Sequence, residues 1–148
     1  MTDLEYMDIA YQEALEALKI DEVPVGAVIV KDGKIISQAH NLKEKYQQVS
    51  RHAEMIAIEE AEKKLKTWHL DDCTLYTTLE PCIMCSGAII QSRISKVFVG
   101  AKGERWDGLT EIIKFSSLNH YPKIQTGILE KECSLLISQY FQSKRHHL

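Results

Sequence analysis

Two short segments, His52-Ala53-Glu54 and Pro81-Cys82-Ile83-Met84-Cys85, constrain the fold of this chain more than anything else in it. One imidazole and two thiols make three zinc ligands. A structural zinc site closes with four protein ligands, whereas a catalytic one keeps three and leaves a corner for water. The chain must therefore bring the two segments to one point, and each does so by opening a helix. Cys82 and Cys85, three apart, put both sulfurs on one face of a first turn, with Pro81 placed where the helix begins because its missing N–H has no partner to lose. His52 starts the apolar run Met55, Ile56, Ile58 and Leu65. His52 and Glu54 are two apart and cannot share an ion on a helix flank. At a helix mouth they can, because side chains lean towards the N-terminus and reach a point near the axis. Two helix N-termini aimed at one ion also bring positive partial charge to the thiols and lower their pKa.

Glu54 is left free of the metal in this count. Zinc brings the pKa of a water down towards neutrality, and a carboxylate beside it can take that proton, deliver it to a ring nitrogen and then protonate a departing amine. The reaction that fits is hydrolytic deamination of an amino-bearing ring carbon. Two plainer readings compete. A thioredoxin-like Cys82/Cys85 redox pair leaves His52 and Glu54 idle. A structural zinc needs a fourth ligand from Cys73, His69 or Cys133, and each of these has a duller place: the start of an apolar strand, a turn, and an amphipathic helix where small buried thiols are common.

The remainder reads as one domain over residues 1–148, without repeats, linkers or low-complexity tracts. Hydrophobic content of 45% and charged content of 26% are those of a globular chain. No apolar run approaches a membrane span, no signal peptide precedes Met1-Thr2-Asp3-Leu4, and four cysteines without a disulfide framework suit a reducing cytoplasm. The net charge of −3 gives no overall attraction to a polyanion, so any RNA contact must come from a local basic patch.

Leu4, Met7, Tyr11, Ala14, Leu15 and Leu18 recur at helical spacing and predict a helix covering one face of a sheet. Residues 25–30 and 35–39 flank Lys31-Asp32-Gly33-Lys34, a hairpin signal that makes the first two strands antiparallel neighbours. Asn41 to Ser50 is polar and predicts a loop near the site, with Ser50 placed to cap the helix that follows. Trp68 is assigned to the core or to a dimer contact. Strands at 73–78, 96–99 and 124–127 alternate with a short helix from Ile83 to about Gln91 and a terminal helix carrying Leu129, Cys133, Leu136, Ile137, Tyr140 and Phe141. That alternation predicts parallel pairing in the second half, hence a three-layer α/β/α domain on a mixed sheet of about five strands.

His52-x-Glu54 with Pro81-Cys82-x-x-Cys85 matches the H-x-E…P-C-x-x-C signature of the zinc nucleobase deaminases. Glu22-Val23-Pro24-Val25-Gly26-Ala27, Ala39-His40-Asn41, Leu75-Tyr76-Thr77-Thr78-Leu79-Glu80, Ser92-Arg93-Ile94, Leu118-Asn119-His120 and Gly127-Ile128-Leu129-Glu130-Lys131-Glu132-Cys133 resemble the bacterial tRNA adenosine deaminases of the TadA type. Nearly the whole chain is covered. The resemblance implies a cytidine-deaminase-like α/β/α fold and one zinc ion per subunit on His52, Cys82 and Cys85, with Glu54 as proton shuttle. It also implies a homodimer that converts the wobble adenosine of a tRNA anticodon loop to inosine. Substrate contacts are implied at Asn41, Ala53 and Val25, the last within a pocket wall from Glu22 to Ala27, although turn propensity alone also explains Asn41.

Three places depart from the family pattern. Arg51 stands where the family commonly has a small residue, and it is a candidate contact to a phosphate or to the polar edge of a small substrate, or else a side chain in solvent. The stretch from Lys102 to Gly108 replaces a longer loop rich in Gly and Ala, and its Trp106 stacks on a flipped-out base, plugs the groove or packs on a neighbouring helix. The last helix ends in Lys144-Arg145-His146-His147, with Gln142 where the family often has an Arg; Lys144 and Arg145 serve RNA or simply suit a helix C-terminus. These departures, with the acidic net charge, keep open a paralogue that deaminates a free base or nucleoside such as cytosine, adenine or guanine.

Overall fold

A computed structural model describes residues 1–145. Five strands form one sheet in the order β2-β1-β3-β4-β5, where β1 is Gly26–Lys31, β2 Lys34–His40, β3 Cys73–Leu79, β4 Lys96–Ala101 and β5 Lys123–Thr126. β1 runs antiparallel to both β2 and β3, and β3, β4 and β5 are parallel. The mixed sheet expected from the strand and helix pattern is therefore present. Asp32 and Gly33 both take positive φ, 52° and 74°, the backbone that a two-residue hairpin requires.

Helix α1 (Asp3–Lys19) opens with a capping box between Thr2 and Glu5. It covers one face of the sheet, where Tyr6, Met7 and Ala10 pack on Val28, Val30, Tyr76 and Phe98. Its buried stripe is Tyr6, Met7, Ala10, Ala14 and Ala17, rotated from the leucine-bearing stripe that spacing predicted; Leu4 and Leu18 are exposed. Close approach is the reason. A Cβ on Gly26 would stand 1.9 Å from the Ala10 carbonyl oxygen, so α1 lies directly on the backbone of β1 and only alanines fit beneath it. After a short helix α5 (Leu109–Ile112), the terminal helix α6 (Glu130–Arg145) covers the same face as α1, with the buried Cys133 sulfur over Gly100. Helices α3 (Ala53–Leu65) and α4 (Ile83–Gln91) cover the other face, burying Ala53, Ile56, Ala57 and Ile89 against Ala27, Ile29, Leu75, Val97 and Val99. Three layers result, α/β/α.

Local structure corrects four further expectations. The polar stretch after β2 is not all loop, because Lys43–Tyr46 forms a single helical turn, α2, ended by Gln47 at φ 51°. Ser50 does not cap α3; His52 occupies that position. Pro81 does not begin α4 but precedes its N-cap, Cys82. Of the two places assigned to Trp68, the core is excluded and the dimer contact is not: it is 52% exposed and stacks on the ring of His69 at 3.7 Å between centroids. No helix among the described residues is long and apolar enough to cross a membrane. His146 and His147 lie outside the described residues.

Candidate active site

The site forms at the carboxyl ends of β2, β3 and β4 and is built from two helix N-termini. His52 is the N-cap of α3 and Cys82 the N-cap of α4, and neither side chain makes a capping hydrogen bond. Both are turned instead towards a shared point. The His52 Nδ1 atom lies 3.6 Å from Cys82 Sγ and 3.5 Å from Cys85 Sγ. Tetrahedral coordination at about 2.3 Å for Zn–S and about 2.1 Å for Zn–N requires a sulfur–nitrogen separation of about 3.6 Å. The three donors therefore have the spacing of a zinc site. Among the described residues, Cys73, His69 and Cys133 do not join them, so three protein ligands leave one corner open.

The ligand protons are set by these contacts. A hydrogen bond from the Cys85 thiol outweighs burial and, together with His52, holds Cys82 down at about 4. Donating that bond pushes Cys85 up, with burial and the charge of Glu54 acting in the same sense. The bond to Cys82 raises His52 as well, against burial. Glu54, at the second position of α3, is 4% exposed, and burial pushes its carboxyl up to about 7 against the opposing pull of its own backbone N–H and His52. A carboxyl poised near neutrality inside a cleft suits proton transfer.

With His52 occupied elsewhere, α3 draws its cap from Asn41, whose Oδ1 accepts the Ala53 N–H at 2.7 Å in a buried contact. That bond fixes the amide, and its Nδ2 has no hydrogen-bond partner among the described residues. Two buried carboxylates accept backbone N–H groups in the same way. Glu22 accepts the N–H groups of Glu44 and Lys45, at 3.0 and 2.7 Å, and so pins α2. Glu80 accepts the Gly103 N–H at 2.9 Å, the Thr110 N–H at 2.8 Å and the Thr110 hydroxyl at 2.5 Å. It thereby ties the segment after β4 to the strand end that delivers Cys82.

A cavity of about 610 Å³ opens onto the cluster, large enough for a ligand of nucleoside size or more. His52, Glu54, Cys82, Asn41, Val25 and Trp106 all line it, and Cys85 lies buried beneath. Arg51 and Ala53 are not among the lining residues. Arg51 neither reaches the cavity nor points freely to solvent, because its Nη2 bonds Glu59 at 2.5 Å. Ala53 is fully buried, and its N–H is spent on Asn41.

The anchoring role of Glu80 escaped sequence reasoning, although an acid between an apolar strand and Pro81-Cys82 was its available signal. Glu22 was read only as part of a wall. Lys43, Lys102, Arg105 and Arg145 also line the cavity and give it a basic rim beside Glu44 and Glu104. Lys144 does not belong to that rim; it pairs with Asp21 at 2.6 Å.

The family model of the cytidine and deoxycytidylate deaminase zinc-binding region matches residues 1–101. The chain belongs to that family. The deaminase is 46% identical to the tRNA-specific adenosine deaminase of Bacillus subtilis, over 95% of this chain and 89% of that one. It is 44% identical to the tRNA-specific adenosine deaminase of Aquifex aeolicus, over 97% and 96%. Among solved structures it resembles one from a study of A-to-I editing by tRNA:A34 deaminases at the wobble position, with 33% identity and a TM-score of 0.85 over 89% of this chain and 98% of that one. A guanine deaminase from Bacillus subtilis, 32% identical, aligns over 99% and 95% with a TM-score of 0.68. The deaminase is thus a hydrolytic zinc enzyme with the α/β fold of its family, and His52, Cys82 and Cys85 fit its metal.

Proposed function

We propose that this enzyme deaminates adenosine to inosine at the wobble position of transfer RNA. The observation that carries the reading is the match, over 95% of this chain, to tRNA-specific adenosine deaminases at 41% to 46% identity, on a chain whose donors have the spacing of a zinc site. Zinc on His52 Nδ1, Cys82 and Cys85 supplies Lewis acidity that makes water nucleophilic near neutral pH. Glu54 would take one proton from that water to a ring nitrogen of the purine and pass the second, from the hydroxyl added at the ring carbon, to the departing amino group, so that adenosine and water become inosine and ammonia. Asn41, its oxygen held by Ala53, keeps Nδ2 to donate to the base and fix its angle to Glu54. Val25 contributes an apolar wall, and burial of the base there excludes bulk water.

The basic rim supplies what the net charge of −3 does not. Lys43, Lys102, Arg105 and Arg145 surround the cavity and suit the phosphates of an anticodon loop. The enzyme acts as a homodimer in this reading. Ile83, at the first turn of α4 beside Cys82, is 75% exposed, an apolar surface next to the metal that a second subunit would cover. Its compartment is the cytoplasm, where the buried free thiols Cys73 and Cys133 stay reduced.

The test is direct. The zinc-loaded protein is incubated with an anticodon stem-loop carrying a wobble adenosine, and separately with free cytosine, adenine, guanine and their nucleosides, following inosine and ammonia. Inosine in the stem-loop is expected. Turnover of a free base or nucleoside with none of the RNA would replace this reading with the small-substrate one, which the guanine deaminase likeness represents. A scattering mass of one chain would remove the dimer.

A further inference from the structure

We infer that Trp106 is a preorganised stacking platform for the nucleobase next to the target adenosine, and so a specificity contact at the mouth of the cavity. The inference rests on the transfer-RNA reading above.

The indole is seated inside its own loop. A Cβ on Gly103 would lie 2.7 Å from Trp106 Cζ2 and 2.8 Å from both Cε2 and Cη2. Near-equal distances to three adjacent ring atoms put Gly103 over the face of the ring, since an edge-on approach would leave two of the three clearly farther away. A Cβ on Gly108 would lie 2.6 Å from Cζ3. Gly103 thus beds one face of the indole more closely than any Cβ would allow, and Gly108 stands against its Cζ3 atom. Gly103 covers one face, yet Trp106 remains 40% exposed and lines the cavity, so the ring keeps surface free to meet a ligand there. An indole plugging the groove would be buried, as Glu54 is at 4%.

The platform is also held at a fixed distance from the chemistry. Glu80 bonds Gly103 on one side of Trp106 and Thr110 on the other, and it stands two residues before the ligand Cys82. The exposure of Trp106 puts it at the mouth, whereas the target base must reach the buried end near Glu54. The ring that meets the indole is therefore that of a neighbouring nucleotide, with Lys102 and Arg105 in the same rim for its phosphates. A flat apolar face fixed in advance costs little to order on binding and accepts any base.

The experiment is a cycle of protein and substrate changes. kcat/KM is measured for the wild type, Trp106→Ala, Trp106→Leu and Trp106→Phe on the wobble-adenosine stem-loop. The same is done on two versions that are abasic immediately 5′ or 3′ of the adenosine. One abasic position is expected to lower the wild-type value roughly tenfold to a hundredfold, the worth of one base–aromatic stack. Trp106→Ala and Trp106→Leu lose the same factor on the intact stem-loop and nothing further on that abasic one, while Trp106→Phe recovers most of the rate. The Leu variant keeps a side chain on the glycine bed without a ring, so it separates stacking from loop collapse if the Ala variant unfolds. Equal losses on the intact and both abasic substrates, or no loss in any variant, would overturn the inference. A wild type inactive on every stem-loop would instead sink the transfer-RNA reading, and the platform with it, before any variant is compared.

Discussion

Replacing Glu80 by Gln tests how firmly the cavity wall is fixed to the metal segment, because shape is kept while one acceptor becomes a donor. Glu80 is 3% exposed and receives three hydrogen bonds, two of them from backbone N–H groups. If the amide oxygen faces Thr110, its NH2 opposes the Gly103 N–H. If the amide is flipped, the Thr110 hydroxyl can turn to accept, but the Thr110 N–H loses its partner. Either way one buried donor is orphaned, at about 1–3 kcal/mol, and the surviving bonds lose the benefit of a charged acceptor, about 1 kcal/mol in all. A sum of about 2–4 kcal/mol lowers the Tm of a domain of this size by roughly 5–15 °C. The assay is a calorimetric melt of the zinc-loaded protein, with zinc content measured alongside and KM for the stem-loop expected to rise as the loop loosens. A variant melting within about 1 °C of the wild type would refute the anchoring argument, since that shift is far below the cost of one orphaned buried donor.

Glu54→Gln should lower turnover by about 10²–10⁴ or more while leaving zinc content unchanged by elemental analysis. Loss of zinc would instead make Glu54 a ligand. Asn41→Ala removes the α3 cap and costs about 1 kcal/mol of stability, whereas Asn41→Asp keeps the acceptor for Ala53 and should melt near the wild type. Both lose the Nδ2 donor, so wild-type kinetics in the Asp variant would show that Asn41 does not hold the substrate. Zinc uptake should release protons, because Cys85 is pushed up and is protonated at neutral pH while Cys82, held at about 4, is already a thiolate. His52, raised by Cys82, adds a fraction that shrinks as pH climbs. Apparent zinc affinity should then rise about tenfold per pH unit above neutrality, read by calorimetry in buffers of different ionisation heat, and a pH-independent affinity would contradict the assignment.

The metal site was legible in the sequence because its chemistry is short-range. Three ligand types at fixed offsets on two helix starts leave few ways to assemble, and His52, Cys82 and Cys85 meet as their spacing required. The hairpin at Asp32-Gly33 and the parallel second half were legible for the same reason, each following from local turn chemistry or element alternation. What spacing could not show was how closely elements approach one another. Periodicity placed leucines on the buried face of α1, but the close approach of Gly26 to Ala10 and Ala14 leaves room only for alanines where the helix crosses β1. Ser50 had the right chemistry for a cap and lost to Asn41, a residue twelve positions before Ala53 whose reach depends on where β2 ends. The place of Glu80 before Pro81-Cys82 marked it as unusual, but what it anchors stayed hidden because its donors, Gly103 and Thr110, carry no signature of their own.

At positions 52 and 82 the chain has placed ligands where helices ordinarily want a small acceptor. A Ser or Asp at either site would satisfy the backbone there better than the present residues do. Each ligand is thus held at the expense of its own helix end, and the two helices that carry the chemistry begin with fewer bonds than the same helices would have around an ordinary cap.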